Sequence, residues 1–289
     1  MKPFQKIFIE ITNFCGLSCS FCTPNKAKDS MDLKNFEKIC SEIAPFTHLC
    51  ALHILGDPLT LDNLESYLKI ATTYQLKIDI TTSGFYLNNK KINLLLQNSC
   101  VHQINISLTS SLYQKKQINL KSYLSPILAL LFKHQAIKSE KFINLRLWNL
   151  KKDFTPPLKN SPIYQVLYNF FQTPITTPKT RLAYKIHLLE QPFFEWVSLE
   201  SQIISQNGFC YGGSKQLGIL CNGDVVPCCF DTKGVINFGN LFQDSMLKIL
   251  ENPRLKKLVE GFKNGVRIEE LCQHCSYPDY LANLNVKNV

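Results

Sequence analysis

The chain has 289 residues, of which 45% are hydrophobic and 19% charged, a composition typical of globular proteins. This length predicts one large domain or two modest ones, with enough buried surface to fold without disulfides. The sequence shows no signal-peptide pattern, and its longest apolar run, residues 126–132, is too short to cross a bilayer. We therefore expect a cytoplasmic protein without a membrane span, whose twelve cysteines are metal ligands or free thiols.

The net charge of +10 is concentrated in one segment. Residues 111–188 contain thirteen Lys and Arg, opposed only by Glu140 and Asp153, so the rest of the chain is close to neutral. A local positive field attracts acidic partners. The alternative is a set of solvated, lysine-rich helix faces that bind nothing.

The first half of the chain alternates between strand and helix patterns. Strands are predicted, in chain order, over residues 4–12, 49–55, 76–82, 103–108, 142–148 and 184–189. Helices are predicted between them over residues 31–46, 61–73, 88–97 and 123–134. Repeated β-α units imply parallel strands joined by right-handed crossovers, so the predicted fold class is α/β, a partial (β/α)6 TIM-like barrel open on one side.

The pattern changes twice further along the chain. Five prolines interrupt residues 151–180, which we predict as an irregular excursion around one short helix, residues 164–171. Cysteines and glycines cluster after residue 200, and the segment 218–231 predicts a β-hairpin with its turn at Asn222-Gly223, followed by helices. The predicted domains are therefore residues 1–200, the barrel, and residues 201–289, a small cysteine-rich domain.

Three cysteines with the spacing CxxxCxxC follow the first predicted strand. Cys15, Cys19 and Cys22 can hold three irons of a four-iron cluster, which leaves the fourth iron without a protein ligand. An open metal position is typical of a catalytic site, whereas a filled one is typical of a structural site. A zinc site is the alternative, although zinc usually draws its ligands from closely paired CxxC units.

This loop resembles the signature of the radical S-adenosylmethionine (radical SAM) superfamily. The three cysteines match, and Phe21 matches the aromatic residue that usually precedes the last one. The resemblance implies a [4Fe-4S] cluster whose open iron binds SAM. It also implies reductive cleavage of SAM to a 5′-deoxyadenosyl radical, which abstracts hydrogen from a peptide, protein or small-molecule substrate. No catalytic residue of the protein is assigned from the sequence.

Further motifs resemble the family's cofactor-binding positions. Leu55-Gly56-Asp57-Pro58 is similar to the family's Gly-Gly-Glu-Pro turn, which binds the SAM amino group, although Leu55 replaces a glycine and Asp57 is shorter than Glu. Thr82-Ser83-Gly84 is similar to the family's Thr-Asn-Gly. The resemblance thus implies a cofactor-binding set of Phe21, Gly56, Asp57, Pro58, Ser83, Ser107 and Arg146. For Arg146 the alternative is a salt bridge that lines the barrel.

The C-terminal cysteines resemble a SPASM or twitch extension, in which they hold an auxiliary cluster. The implied ligands of this second [4Fe-4S] cluster are Cys210, Cys228, Cys272 and Cys275. Cys229 is an alternative to Cys228, and four ligands favour the shorter twitch form. A zinc ribbon is the competing interpretation of the same cysteines.

Three classes of function remain open. The first is a radical SAM enzyme of the oxidoreductase or maturase type, reduced by flavodoxin or ferredoxin, which would dock on the positive segment. The second is a radical SAM enzyme that modifies RNA; the charge of that segment supports it, but no recognisable RNA-binding module is present, so nucleic acid is not favoured. The third is a non-catalytic iron–sulfur electron carrier or zinc-stabilised scaffold.

Overall fold

The computed structural model describes residues 2–22, 28–193 and 195–286. Within these ranges the strands are β1 Lys6–Ile9, β2 Leu49–Leu52, β3 Lys77–Thr82, β4 Val101–Ser107, β5 Phe142–Leu150, β6 Lys179–Ala183, β7 Ile186–Pro192, β8 Gln216–Ile219 and β9 Val225–Val226. The helices are α1 Leu33–Ile43, α2 Leu64–Thr73, α3 Asn89–Gln97, α4 Thr109–Leu112, α5 Leu120–Ala136, α6 Ser161–Phe171, α7 Met246–Glu251, α8 Pro253–Lys263, α9 Glu270–Gln273 and α10 Tyr277–Val286. Two short 3-10 turns, Pro58–Thr60 and Leu158–Asn160, complete the elements.

The nine strands of the described ranges form one sheet in the order β6-β7-β5-β4-β3-β2-β1-β8-β9. Six of them, β1 to β5 and β7, are neighbours in parallel, as the repeated β-α units predict. The carboxyl ends of these strands therefore meet at one rim of a partial barrel, where α/β proteins usually bind their ligands. The predicted α/β partial barrel is confirmed.

The outer strands extend the sheet beyond the six predicted units. β6 pairs antiparallel with β7, although it begins in the stretch that we predicted as irregular. The segment KTRLA alternates exposed and buried residues, a strand pattern that the surrounding prolines obscure in the sequence. β8 pairs parallel with β1, and β9 pairs antiparallel with β8 as the predicted hairpin, so the cysteine-rich region continues the barrel's own sheet.

The helices bury amphipathic faces against this sheet. Helix α1 begins after Asp32, whose carboxylate accepts a hydrogen bond from the backbone N–H of Asn35 at 2.7 Å, as expected of an N-cap. The buried face of α1 consists of Phe36, Ile39, Cys40 and Ile43. Among the described residues, no helix has the length and apolar composition needed to cross a bilayer.

Candidate active site

A cavity of about 370 Å³ opens at the carboxyl ends of the parallel strands and continues between them. Its walls include nine of the residues predicted as ligands or cofactor contacts: Cys15, Cys19, Phe21, Cys22, Gly56, Asp57, Ser83, Ser107 and Arg146. Pro58 lies buried in the adjoining 3-10 turn and is not one of the wall residues. The structure therefore brings together, around one cavity, motifs that are widely separated in the chain.

The loop that carries the three cysteines is closed by hydrogen bonds at its two ends. The N–H of Asn13 donates to the Asp29 carbonyl at 3.2 Å, and the N–H of Asp29 donates to the Asn13 side-chain oxygen at 2.8 Å. All three thiols are half-buried and line the cavity. The donor set therefore fits a shared cluster with a face open to the cavity.

Burial makes two of these thiols, Cys19 and Cys22, weaker acids in the absence of metal. It raises the pKa of Cys22 to about 11, with the neighbouring Cys15 and Cys19 thiolates as further causes. The pKa of Cys19 is also raised, chiefly by burial. Bound metal cations would offset this cost because a coordinated thiol is deprotonated. Among the described residues, no three His, Cys, Asp or Glu side chains are grouped closely enough to hold a single metal ion.

A residue that the sequence analysis missed, Gln114, fixes the middle of the loop. Its side-chain N–H₂ donates to Cys19 Sγ at 2.8 Å, and its carbonyl oxygen accepts from the Ser18 N–H at 3.0 Å. The same N–H₂ group donates to the Ser110 carbonyl at 2.8 Å. Gln114 thus orients a thiol that would bind iron, in the manner of groups that surround a metal centre and orient its ligands.

The aromatic residue of the motif packs against two further rings. Phe21 meets Tyr113 and Phe193 edge to face, at centroid distances of 5.8 and 5.5 Å. The ammonium of Lys159 lies 4.0 Å from the centre of the Tyr113 ring. These contacts hold the Cys19–Cys22 segment against the barrel rim and place an exposed lysine nearby.

The turn after β2 packs directly on the cysteine loop. The N–H of Asp57 donates to the carbonyl of Phe14 at 3.0 Å. A Cβ on Gly56 would lie 2.0 Å from the carbonyl oxygen of Thr12, so only glycine permits this approach of backbone to backbone. The Gly56-Asp57 turn is therefore part of the wall that shapes the cysteine loop.

The Asp57 carboxylate is buried and accepts four hydrogen bonds. One oxygen accepts from Thr82 Oγ1 at 2.9 Å and from the N–H and Oγ of Ser83 at 2.8 and 2.6 Å, while the other accepts from the Leu59 N–H at 3.0 Å. Burial raises the pKa of Asp57, and these four donors partly oppose the rise. Asp57 therefore joins the turn after β2 to the turn after β3, both of which were predicted to contact SAM.

Polar side chains stand among the apolar walls of the barrel interior below the rim. Arg146 and His53 both line the cavity. The Nε of Arg146 and the Nδ1 of His53 are buried and have no hydrogen-bond partner among the described residues. Burial lowers the pKa of His53 to about 3, with the charges of Arg146 and Lys6 as further causes, so its ring is neutral. The Arg146 guanidinium lies 5.1 Å from the Trp148 ring and forms no salt bridge within the described part of the chain. The wall can therefore hydrogen-bond a polar ligand.

The auxiliary cysteines converge from three separate segments. Cys210 precedes β8, Cys228 follows β9, and Cys272 and Cys275 lie at and just after α9. Burial raises the pKa of Cys228, with the nearby Cys229, Cys210 and Cys275 thiolates as further causes. The hairpin between the first two segments turns at Gly223, whose φ is +88°. Four neighbouring thiols, of which Cys210 is buried and the others half-buried, fit a cluster that has no open position.

Cys229 occupies a different position from Cys228. It lines the barrel cavity, whereas Cys228 is not one of the wall residues. The pKa of Cys229 is raised to about 12, mainly by burial, and Lys6 of the barrel is one of the charges that act on it. The geometry therefore distinguishes the two neighbouring thiols, since only Cys229 belongs to the barrel cavity.

Glu10, which the sequence analysis did not single out, joins the barrel to the C-terminal region. Its buried carboxylate accepts from the N–H groups of Leu55 and Cys221, each at 3.2 Å. Burial raises its pKa to about 7. Lys6 and Phe8 line the cavity, and Glu10 continues the same alternation of residues along the chain. Because alternate residues of a strand share one face, this pattern could have identified Glu10 from the sequence.

Comparison with known proteins finds one domain model and several solved structures that are similar to this chain. Residues 210–276 match the SPASM iron–sulfur cluster-binding domain. No curated protein sequence matches the chain. The fold is similar to BtrN in complex with AdoMet and 2-DOIA, with a TM-score of 0.60, 16% identity, and coverage of 95% of this chain and 94% of BtrN.

Two further solved structures share the fold. SuiB from Streptococcus suis, bound to its precursor peptide SuiA, matches with a TM-score of 0.62 and 13% identity over 97% of this chain and 73% of SuiB. A histidine-tagged form of anSMEcpe with bound AdoMet matches with a TM-score of 0.62 and 12% identity over 99% of both chains. All three neighbours are radical SAM enzymes with SPASM or twitch domains.

These matches confirm the predicted resemblance at the level of the fold and of the C-terminal domain. The SPASM match assigns an iron–sulfur cluster-binding domain to residues 210–276, and two of the structures that share the fold have AdoMet bound. The barrel of this chain has the architecture that radical SAM enzymes use.

Proposed function

We propose that the chain is a radical SAM enzyme in which Cys15, Cys19 and Cys22 hold the SAM-binding cluster. The observation that carries the proposal is that these three thiols line one cavity together with the Gly56-Asp57 turn and with Ser83, Ser107 and Arg146. When bound, the cluster and SAM would supply one-electron cleavage of the sulfonium and a radical that abstracts hydrogen from substrate. The reaction class would be that of an oxidoreductase or maturase.

The residues of this chain would then have separable tasks. Gln114 would fix the Cys19 thiolate, Asp57 would hold the turns after β2 and β3 in register, and the backbone of Gly56 would face the cofactor. Ser83, Ser107 and Arg146 would contribute polar contacts to SAM from neighbouring strands. Phe21 would close the cluster side of the cavity by packing on Tyr113.

The substrate in this proposal is a peptide, a protein side chain or a small molecule that presents a polar group to the barrel interior. Two neighbouring structures contain a further bound molecule, 2-DOIA in BtrN and the precursor peptide SuiA in SuiB. The unpartnered nitrogens of His53 and Arg146, among the described residues, support a polar target. We propose the reducing cytoplasm as the protein's location, a compartment in which cysteines act as metal ligands or remain thiols.

The decisive experiment is anaerobic reconstitution followed by measurement of 5′-deoxyadenosine formed from SAM with dithionite as reductant. We expect the wild-type protein to form it. We expect Cys19→Ala to form none while retaining the iron of the C-terminal cluster, because the two ligand sets are separate. A fully loaded wild-type protein that leaves SAM intact would favour the electron-carrier or scaffold alternative instead.

The C-terminal ligands can be tested by iron content. We propose Cys210, Cys228, Cys272 and Cys275 as ligands, with Cys229 outside the set because it lines the barrel cavity. Cys228→Ala should lose about four irons per chain, whereas Cys229→Ala should lose none. Equal iron loss in the two variants would contradict the assignment.

The electron donor in the proposal is an acidic flavodoxin or ferredoxin. Lys115 and Lys116 are exposed and directly follow Gln114, the residue that touches Cys19. An acidic carrier attracted to them would approach the cluster loop from outside the barrel. The positive surface is therefore adjacent to the point where the electron is needed.

Charge reversal tests this docking surface. Lys115→Glu, Lys116→Glu and Lys121→Glu together should slow reduction by flavodoxin, with the largest effect at low salt, and leave reduction by dithionite unchanged. Lys256→Glu with Lys257→Glu, on the exposed face of α8, is the matched control and should have no effect. Unchanged flavodoxin reduction combined with loss of salt-sensitive RNA binding would favour the RNA-modifying alternative.

A further inference from the structure

Arg267 is a fully buried arginine beside the auxiliary cysteines. Its side chain is 0% exposed, and it is the largest fully buried side chain of the described residues. One guanidinium nitrogen donates to the carbonyl oxygen of Cys275 at 2.8 Å, and another forms a salt bridge with Asp279. A charged group in such a position needs partners for its donors because an unpaired buried charge is costly.

One donor of Arg267 is left over after these contacts. The buried Nε–H forms no hydrogen bond to any described residue, although the two other guanidinium nitrogens are bonded. The salt bridge also compensates the buried charge of Arg267 only in part, because the Asp279 side chain is 47% exposed and can be hydrated. Both facts indicate that a further, negatively charged hydrogen-bond acceptor belongs close to the guanidinium.

The backbone around Arg267 is shaped to hold it there. Gly208, with φ +140°, lies so close that a Cβ on it would be 2.8 to 2.9 Å from the guanidinium nitrogens. The Arg267 N–H donates to the Gln206 carbonyl at 2.8 Å, and the Arg267 carbonyl accepts from the Gln273 side chain at 2.9 Å. The chain segments next to Cys210 and Cys272 therefore fix the arginine in place.

Two of the four predicted ligands lie next to the guanidinium along the chain. Cys275 accepts one of its hydrogen bonds through the backbone carbonyl, and Gly208, which packs on the guanidinium, lies two residues before Cys210. Their thiolates, bound to a cluster, are therefore the negative groups nearest in the chain to the unpartnered Nε–H.

We propose that Arg267 is a positioning residue for the auxiliary cluster: its Nε–H donates to a cluster sulfur, and its charge favours the reduced cluster. Reduction adds one electron and no proton, so the cluster becomes more negative by one charge, which a fixed neighbouring cation stabilises. The inference rests on the iron–sulfur cluster of the C-terminal domain and not on SAM cleavage at the N-terminal loop.

The experiment is EPR-monitored redox titration of the auxiliary cluster with dithionite. The background is the full chain with Cys15→Ala, Cys19→Ala and Cys22→Ala, so that only the C-terminal cluster contributes. We expect Arg267→Met to lower the reduction potential, and Arg267→Lys, which keeps the charge but lacks the Nε–H, to lower it by less and to change the EPR line shape.

Asp279→Asn keeps Arg267 and removes its counter-charge, so we expect it to raise the potential, a shift of opposite sign. If Arg267→Met fails to retain iron, Arg267→Lys and Asp279→Asn still decide the question. The proposal is overturned if both of these variants bind a full cluster with wild-type potential and line shape, or if Asp279→Asn shifts the potential downward. Failure of SAM cleavage in the wild-type protein would leave this titration unaffected, so the two proposals fail separately.

Discussion

The buried carboxylate of Asp57 can have one of two roles: it supports the turn after β2, or it contacts the cofactor directly. All four hydrogen bonds to this carboxylate come from the protein itself, from Thr82, Ser83 and Leu59. Replacing Asp57 by Asn changes one oxygen into an N–H₂ group. We expect that change to disturb the connection between two loops rather than to remove a cofactor ligand.

The magnitude follows from which donors lose their acceptor. The hydroxyl groups of Thr82 and Ser83 can rotate and accept from the new N–H₂. Whichever oxygen is replaced, however, one backbone N–H, that of Ser83 or that of Leu59, loses its acceptor. An unsatisfied buried donor costs about 1–3 kcal/mol. The lost charge recovers part of this cost, because burial raises the pKa of Asp57 and so disfavours its ionised form. We therefore expect Asp57→Asn to lower the free energy of unfolding by about 1–2 kcal/mol at pH 7.

The assay is urea unfolding of the apoprotein, paired with SAM binding by the cluster-loaded protein. Asp62→Asn, at an exposed aspartate shortly after the same turn, is the matched control and should unfold like the wild type. Asp57→Asn should lose stability first and SAM affinity only modestly. Wild-type stability combined with loss of SAM binding would refute this interpretation and make the carboxylate a direct ligand.

Three further predictions test other parts of the site. Gln114→Leu removes the donor to Cys19, so the N-terminal cluster should lose iron to a chelator about tenfold faster, as one charge-assisted hydrogen bond implies; an unchanged rate would argue against its role. Gly56→Ala forces a Cβ against the Thr12 carbonyl, so apoprotein stability should fall by about 1–3 kcal/mol or more, and a neutral effect would contradict the backbone approach. The pKa of Glu10 is raised to about 7, so the folded state binds its proton more tightly and loses stability as pH rises. Between about pH 5.5 and 8 the unfolding free energy of the wild type should therefore fall by about 2 kcal/mol more than that of Glu10→Gln. Identical pH profiles of stability in the two proteins would refute this prediction.

The fold could be predicted from the sequence where local patterns determine it. Apolar periodicity and capping residues such as Asp32 mark the elements of the barrel, and β-α alternation implies their parallel order. The pairing of β8 with β1 could not be predicted, because it joins Lys6 to Gln216 across most of the chain. β6 was missed because the prolines before it suggested an irregular segment.

The candidate site divides in the same way. The three cysteines of the first loop are neighbours in sequence, so their spacing alone predicts a shared metal centre. Gln114 lies 95 positions from Cys19, its partner, and nothing local distinguishes it from any other surface glutamine. Arg267 likewise has no motif around it; only its burial beside Cys275 identifies it. Residues that position a ligand are recognised through tertiary contacts, whereas the ligands themselves carry a sequence pattern.

The central claim is that the first cysteine loop holds a cluster with one iron open to SAM. The most direct measurement is the EPR spectrum of the dithionite-reduced, cluster-loaded protein before and after SAM is added. Two cluster signals are predicted, of which SAM should alter one, and Cys19→Ala should lack that one and keep the other. Signals that SAM leaves unchanged in a protein containing both clusters would contradict the claim.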